Sequence, residues 1–135
     1  MIDKNQRIAI QQIALVENGT EICVELKYNG NTYQGKSTTG TDELAQMTAA
    51  TNALITAVNS IIPTPIVKRV IELKQISFQA LNLPVVVALV AVQIRGQEMF
   101  FPGAAKTEES STHAPIHAAV RATLDAINRP IGLII

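Results

Sequence analysis

The sequence has no tryptophan and few other aromatic residues, with two tyrosines and three phenylalanines in 135 residues. So few aromatic side chains cannot build the platform on which RNA-binding domains stack bases. Charged residues make up only 16% of the chain, and the 11 basic residues balance the 11 acidic ones. Nucleic-acid binding requires a concentrated basic patch, so we expect no nucleic-acid partner.

The chain also has little cysteine and no long hydrophobic run. A single cysteine, Cys23, excludes an internal disulfide and fits a reducing compartment. The first residues lack the basic region and apolar stretch of a signal peptide, so we expect a cytoplasmic protein. The longest apolar run, residues 84–92, is about half the length of a membrane-spanning helix, so we expect no membrane partner.

Catalytic motifs are missing as well. The sequence contains no Gly-x-Ser-x-Gly elbow, no P-loop and no dinucleotide-binding fingerprint. His113 and His117 have the spacing of two metal ligands on a helix, but no further His or Cys completes the set that zinc requires. We therefore expect no catalytic residues, no metal site and no cofactor.

What the chain does contain is an internal repeat. Residues 7–62 and residues 70–130 each predict strand, tight turn, strand, tight turn, strand and helix. The fold class is therefore predicted as α+β, a tandem βββα repeat of two antiparallel meanders, each followed by one amphipathic helix, with pseudo-two-fold symmetry. The first unit's matched residues are Gln12, Ile13, Gly30 and residues 54–59; the second unit's are Gln75, Ile76, Gly96 and residues 123–128.

We predict a single domain over residues 1–135, because one unit with one helix buries too little apolar surface alone. Residues 63–69 contain two prolines and are predicted to be a stiff linker between the units. Helix one is predicted to start after Thr41, to bury Leu44 and to end at Pro63. Helix two is predicted to start near residues 111 and 112 and to stop at Pro130.

The first strand of each unit shows a shift in its apolar pattern, which predicts a β-bulge at an equivalent point in both. In the first unit, Ile8 and Ile10 are followed by Ile13 and Leu15 on the inner face. In the second unit, the inner-face residues are predicted to be Ile71, Leu73, Ile76 and Phe78.

The second strands of the two units differ. In the first unit Ile22, Val24, Leu26 and Tyr28 alternate with polar residues, which predicts one wet face. Its counterpart in the second unit, VVVALVAV at residues 85–92, is apolar on both faces, so something must cover the side that is wet in the first unit. Together with a hydrophobic fraction of 47%, this predicts a homodimer. The predicted interface residues are Val85, Val87, Leu89 and Ala91.

The junctions between third strand and helix are the candidate ligand sites. Both are rich in small or hydroxyl-bearing residues and lead to a helix N-terminus, where free N–H groups favour an anion such as a carboxylate. Ordinary helix capping would favour the same residues. The predicted ligand-binding residues are Gly35, Ser37, Thr38, Gly40, Thr41, Gly103, Ala104, Ser111 and Thr112.

The repeat order, the Gly-containing end of each third strand, and the helix-two sequence AAVRATLDAINR at residues 118–129 resemble one known family. This family is the C-terminal regulatory, dimerisation domain of 2-isopropylmalate and citramalate synthases. The resemblance covers residues 7–129 and implies a dimer that binds a branched-chain amino acid or a related inhibitor. The catalytic barrel of those enzymes has no counterpart here, so the resemblance implies no synthase activity.

Double-stranded RNA-binding domains also contain three antiparallel strands followed by a helix. In those domains a helix begins with basic residues, whereas helix one here begins with Asp42 and Glu43.

Three functional hypotheses remain. The first is a non-catalytic, dimeric regulatory module that senses a small amino-acid-like ligand, alone or with a separate catalytic or partner protein. The second is an interaction module that docks on another chain without a small ligand. The third is an enzyme that uses His113 or His117, which would require a bound metal.

Overall fold

The computed structural model describes residues 7–16, 19–62, 66–80, 82–107 and 113–134. Strands β1, β2 and β3 form one antiparallel sheet, sheet A, and strands β4, β5 and β6 form a second, sheet B. One helix follows each sheet, so the predicted α+β tandem βββα architecture is confirmed. The elements in order are β1 (Ala9–Val16), β2 (Glu21–Tyr28), β3 (Asn31–Thr38), α1 (Glu43–Ile61), β4 (Val67–Phe78), β5 (Leu83–Ile94), β6 (Gln97–Lys106) and α2 (Ala114–Ile134).

Two tight turns set the register of the hairpins. Asn29 and Gly30 join β2 to β3, and Arg95 and Gly96 join β5 to β6, with positive φ at all four residues. This geometry matches the right-handed twist of the paired strands and favours Asn and Gly. The register then follows residue by residue from each turn, so that Tyr28 pairs with Asn31 and Ile94 pairs with Gln97.

Each helix packs directly on a glycine of the preceding strand. A Cβ atom added at Gly35 would overlap the carbonyl oxygen of Ala53 in α1. A Cβ atom added at Gly103 would overlap the carbonyl oxygen of Ala122 in α2. The backbones of strand and helix are therefore in contact at both points, which only glycine permits.

We expect Gly35→Ala to lower the free energy of unfolding by roughly 1–3 kcal/mol, since the added methyl group forces helix and strand apart. Urea denaturation measures this change. Lys36→Ala, on the exposed outer side of the same strand, is the control and should shift the free energy by less than about 0.5 kcal/mol. Equal stability of the two variants would contradict the close packing.

The two units are joined by their helices, which contact each other, and α1 also contacts β4 of the second unit. At the end of α1, the Asn59 side chain donates to the carbonyl of Val67 at 3.0 Å and accepts from its N–H at 3.3 Å. At the matching point of α2, Asn128 donates to the carbonyl of Ile8 at 3.4 Å. Each helix end is thus bonded to the first strand region of the other unit.

The inner faces of both sheets and the facing sides of both helices form one core. Most inward residues of β2 and β5 are fully buried, and many helix residues are alanines, which allow the close approach of the helices to the sheets. The fully buried inward residues of these strands are Ile22, Val24, Leu26, Val86, Ala88, Val90 and Val92.

The first strand of each unit has a bulge, as predicted, but the predicted position in β4, between Leu73 and Ile76, was wrong because the register is unbroken from Glu72 to Phe78. The repeat alignment was also wrong in the first strands. The register shifts at Gln11 in β1 and at Ile71 in β4, with a further shift at Lys68. Val24 pairs with both Gly35 and Ile13, and Ala88 pairs with both Gly103 and Leu73. Because the two glycines occupy equivalent positions under their helices, Ile13 corresponds to Leu73 and not to Ile76.

This correction changes which face the end of β4 presents. Ile76 pairs with Val85 and Phe78 pairs with Leu83, on the outer side of sheet B and not on the predicted inner side. Ile71 is the residue left over in the bulge and is 40% exposed. Strands β4 and β5 each have 12 residues, whereas β1 and β2 have 8, so the second hairpin is longer than the first.

Helix α1 begins after the N-cap Asp42 and ends at Ile61, before Pro63, as predicted. Leu44 is 62% exposed, and the prediction that it is buried was wrong because it lies in the first turn of the helix, beyond the sheet. Helix α2 continues past Pro130 to Ile134, so the predicted stop was wrong. Burial of Pro130 and Ile131 in the core stabilises this last turn although proline supplies no N–H. Strand β4 begins at Val67, within the predicted linker.

Candidate functional site

The outer faces of the two sheets differ in chemistry although they occupy matching positions in the repeat. The outer face of sheet A is polar, and its central strand presents Glu21, Cys23, Glu25 and Lys27. Gln34 of β3 donates to Glu25 at 3.0 Å across this face. A shallow depression of about 180 Å³ lies here, lined by Gln12, Ala14, Cys23, Glu25, Gln34 and Lys36. These polar groups are suited to contact with water.

The outer face of sheet B is apolar along β5 and much of β6, and on β4 at Ile76 and Phe78. Phe100 is 54% exposed, Phe78 53% and Ile76 37%, which is high for such large side chains. We use the term apolar face for the set that cross-strand pairing brings together on this side: Ile76, Phe78, Leu83, Val85, Val87, Leu89, Ala91, Phe100, Pro102 and Ala104. A contiguous exposed surface of this kind marks an interaction site more often than a single exposed residue does.

Charged residues lie around the apolar face. Arg69 and Glu98 approach each other to 3.6 Å at one end of it. Glu72 and Lys74 lie side by side on β4, opposite Leu89 and Val87, and Lys106 lies on β6 opposite Val85. Acidic and basic groups are therefore both present around the same surface.

The predicted interface residues all lie on the apolar face. Val85, Val87 and Leu89 are half-buried, whereas Ala91 is fully buried beside its larger strand partners Arg69 and Phe100. The sequence missed the contributions of the flanking strands. Pairing outward from the Arg95 and Gly96 turn would have found Pro102 and Ala104, and only the true register of β4 reveals Ile76 and Phe78.

The second feature is a shallow cleft, wide open to solvent, between the edge of β3 and α1. It has a volume of about 440 Å³ and is lined by Thr38, Thr39, Gly40, Asp42, Leu44, Ala45, Thr48, Ala49 and Asn52. From the helix, Thr48 and Asn52 contribute polar groups to the lining, and Ala45 and Ala49 contribute methyl groups. Two predicted ligand residues, Thr38 and Gly40, belong to this lining, and the helix residues were missed by sequence reasoning. The spacing of four between Thr48 and Asn52 is the signal that could have indicated them.

The matching edge of sheet B is closed by side chains of α2. Asp125 accepts a hydrogen bond from the backbone N–H of Ala104 at 3.2 Å, and Arg121 donates to the carbonyl of Lys106 at 2.8 Å. Pro102 has no N–H to offer on this strand. Proline and charged side chains are common means of protecting an edge strand from pairing.

The described residues of α1 make no equivalent side-chain hydrogen bonds to the edge of β3. Gly35 lies against Ala53 of α1, and Gly103 lies against Ala122 of α2, so these two alanines are equivalent. Counting along the helices from them, Asn52 corresponds to Arg121 and Thr56 corresponds to Asp125. Thr56 donates to the carbonyl of Asn52 within its own helix at 3.1 Å, so it does not reach the strand. The cleft is open in the first unit because these side chains are short and uncharged.

The start of α1 already has an anionic group. The carboxylate of Asp42 accepts a hydrogen bond from the N–H of Ala45 at 2.8 Å, which caps the helix. The sequence predicted a ligand carboxylate near this helix end, where the structure places a protein carboxylate. The charge at this end of the cleft therefore favours the cationic group of a ligand.

The other predicted ligand residues have different surroundings. Gly35 and Gly103 are buried beneath the helices, and close packing accounts for both of them without a ligand. Ser37 donates to the carbonyl of Thr38 at 3.3 Å. Thr41 is exposed before the N-cap, and Ala104 lies on the closed edge of β6. Ser111 and Thr112 lie outside the described residues.

The histidine pair lies at the start of α2. His113 and His117 line a small pocket with Ile13, Leu15, Ile22 and Ile116. Within the described ranges, no group of three or more His, Cys, Asp or Glu side chains converges on a point where a metal could bind. The described part of the chain also has no helix that is long and apolar enough to cross a membrane.

Comparison with known proteins finds no family model that matches the sequence and no matching curated protein.

We expect Asp125→Ala to speed amide hydrogen exchange at Ala104 by at least about tenfold, because a hydrogen bond to a carboxylate protects that N–H. Asp125→Asn retains an acceptor and should give a smaller increase. Hydrogen exchange followed by NMR measures both rates. An unchanged rate in the alanine variant would show that Asp125 does not close the β6 edge.

Proposed function

We propose that this protein is a non-catalytic regulatory module that forms a dimer and binds a small amino-acid-like ligand. The dimer forms through the apolar face of sheet B. The ligand binds in the cleft between β3 and α1. The module exerts its effect through different affinities of two arrangements of its subunits, because ligand binding shifts such an equilibrium without any chemical step.

The observation that carries the proposal is the contrast between the two outer faces. Val87 and Cys23 occupy equivalent positions, and each is flanked by one lysine and one alanine: Lys74 and Ala104 beside Val87, Lys36 and Ala14 beside Cys23. The surrounding residues on sheet A are polar, whereas those on sheet B are apolar. Burial of apolar surface is favourable by about 25 cal/mol per Å². The exposed apolar residues of sheet B therefore favour binding of a partner, and the polar outer face of sheet A does not.

The tandem βββα order supports a regulatory role by resemblance to the C-terminal domain of 2-isopropylmalate and citramalate synthases. Under this proposal the module works without catalytic residues of its own and acts in the cytoplasm, with a separate catalytic protein as the target of its regulation. The ligand class implied by the resemblance is a branched-chain amino acid or a related small acid.

The cleft supports an amino acid in particular. Asp42 provides a negative charge for an ammonium group, and the hydroxyl groups of Thr38 and Thr48 on the lining are donors for a carboxylate. Leu44, Ala45 and Ala49 provide apolar contact for an aliphatic side chain. The equivalent edge of sheet B is closed by Arg121 and Asp125, so the proposal places one ligand in each chain.

The dimerisation step is tested by Val87→Lys, which places a charge at the centre of the apolar face. Burial of an unpaired ammonium group opposes association, so we expect the dissociation constant of the dimer to rise at least about 100-fold. Light scattering coupled to size exclusion measures the mass. The control is Cys23→Lys at the equivalent, wet position, which should leave the mass unchanged. A Val87→Lys protein that stays dimeric would exclude the apolar face as the interface.

The ligand step is tested by grafting the α2 side chains onto α1 as Asn52→Arg with Thr56→Asp. We expect the wild-type protein to gain thermal stability with leucine, isoleucine or a related 2-keto acid, because a ligand that binds only the folded state stabilises it. The grafted variant should lose this gain and keep its dimeric mass, since the cleft would be closed. Wild-type stability that is indifferent to all these compounds would favour the second function below.

The second candidate function is an interaction module without a small ligand. The apolar face favours it independently of the cleft, because an exposed surface of this composition needs a partner whether or not a ligand binds.

A further inference from the structure

We propose that the partner on the apolar face is a second copy of this chain, packed sheet B against sheet B with β5 of the two copies antiparallel. The two-fold axis lies in the plane of the interface and crosses β5 between Val87 and Leu89. This inference rests on the proposed dimerisation through the apolar face, and it adds the symmetry axis and the register.

Strand β4 carries two oppositely charged residues on its outer side. Glu72 pairs with Leu89 and Lys74 pairs with Val87, so both charged residues lie beside the centre of the apolar face. A two-fold axis that crosses β4 between them places Lys74 opposite Glu72 of the partner subunit, and Glu72 opposite Lys74 of the partner subunit. Strand β4 of each copy therefore supplies one lysine and one glutamate, and the two copies together form two ion pairs. A symmetric interface requires this kind of self-complementarity.

The centre of this arrangement is uncharged. The axis crosses β5 between Val87 and Leu89, and it crosses β6 between Pro102 and Ala104, because these residues pair with Leu89 and Val87. Valine and leucine fill the middle, and the small residues on β6 let the sheets approach. Facing sheets pack about 10 Å apart with interdigitated side chains, which matches side chains of this size.

The outer positions are also compatible. Phe100 on β6 lies opposite Lys106 of the partner subunit, and an ammonium group over an exposed phenylalanine ring is a favourable contact. Arg69 and Glu98 already approach each other within one chain at 3.6 Å, so neither charge is left unpaired in the dimer.

Neighbouring arrangements match less well. An axis that crosses β5 at Leu89 itself places Glu72 directly opposite Glu72 of the partner subunit, which is repulsive. An axis parallel to β5 places β4 opposite β6 of the partner subunit, where Ala104 faces Lys74 and leaves its charge unpaired. Buried like charges and unpaired charges both oppose association.

The test uses two charge variants, Glu72→Lys and Lys74→Glu. Each variant has like charges at both positions, so each should raise its own dimer dissociation constant at least about 100-fold. An equimolar mixture should form a heterodimer as tight as the wild type, because lysines of one chain then face glutamates of the other. The double variant carrying both changes should also dimerise, which controls for folding. Native mass spectrometry with one isotope-labelled chain measures all four states.

The mixture is the decisive measurement. Like charges within each chain persist in it, so recovery of the dimer can come only from contacts between chains. Single variants that remain dimeric, or a mixture that remains monomeric, would overturn the antiparallel register. If Val87→Lys dissociates the dimer while the mixture fails to recover, the apolar face is still the interface and only the register proposed here is wrong.

Discussion

The contact between each helix and a glycine of the preceding strand determines the position of everything else. At Gly35 and Gly103 the backbone of the strand lies against the backbone of the helix, and no larger residue fits. These two contacts fix which residues of the two units correspond, and therefore which side chains reach the strand edges. They also leave the opposite sides of both sheets uncovered, because each unit has only one helix to cover one face.

The two units share the same βββα fold but differ in their surface residues. The first has a wet outer face and an open strand edge, and the second has an apolar outer face and an edge closed by Arg121 and Asp125. The apolar face and the open cleft therefore lie in different units. Asn59 and Asn128 bond each helix end to the other unit.

Much of the fold could be predicted from the sequence because local signals agreed. Turns with Asn and Gly, alternation in β2 and the Asp42 cap each specify a structure within a few residues. The predicted direction of Ile76 and Phe78 was wrong because the apolar pattern placed the bulge between Leu73 and Ile76, whereas it lies at Ile71. Regular alternation from Leu73 onward then turns both side chains to the outer face. The lining of the cleft could not be predicted, because it depends on which helix residues pack beside the edge of β3. The periodicity of the sequence does not specify that packing.

The central claim is that the apolar face of sheet B is buried against a second chain. The most direct measurement is the mass of the wild-type protein in solution by light scattering over a range of concentrations. The account predicts twice the single-chain mass of 14.5 kDa at micromolar concentration, with dissociation only on dilution. A particle of 14.5 kDa at every concentration would contradict it, because the exposed surface would then be stable in water without a partner.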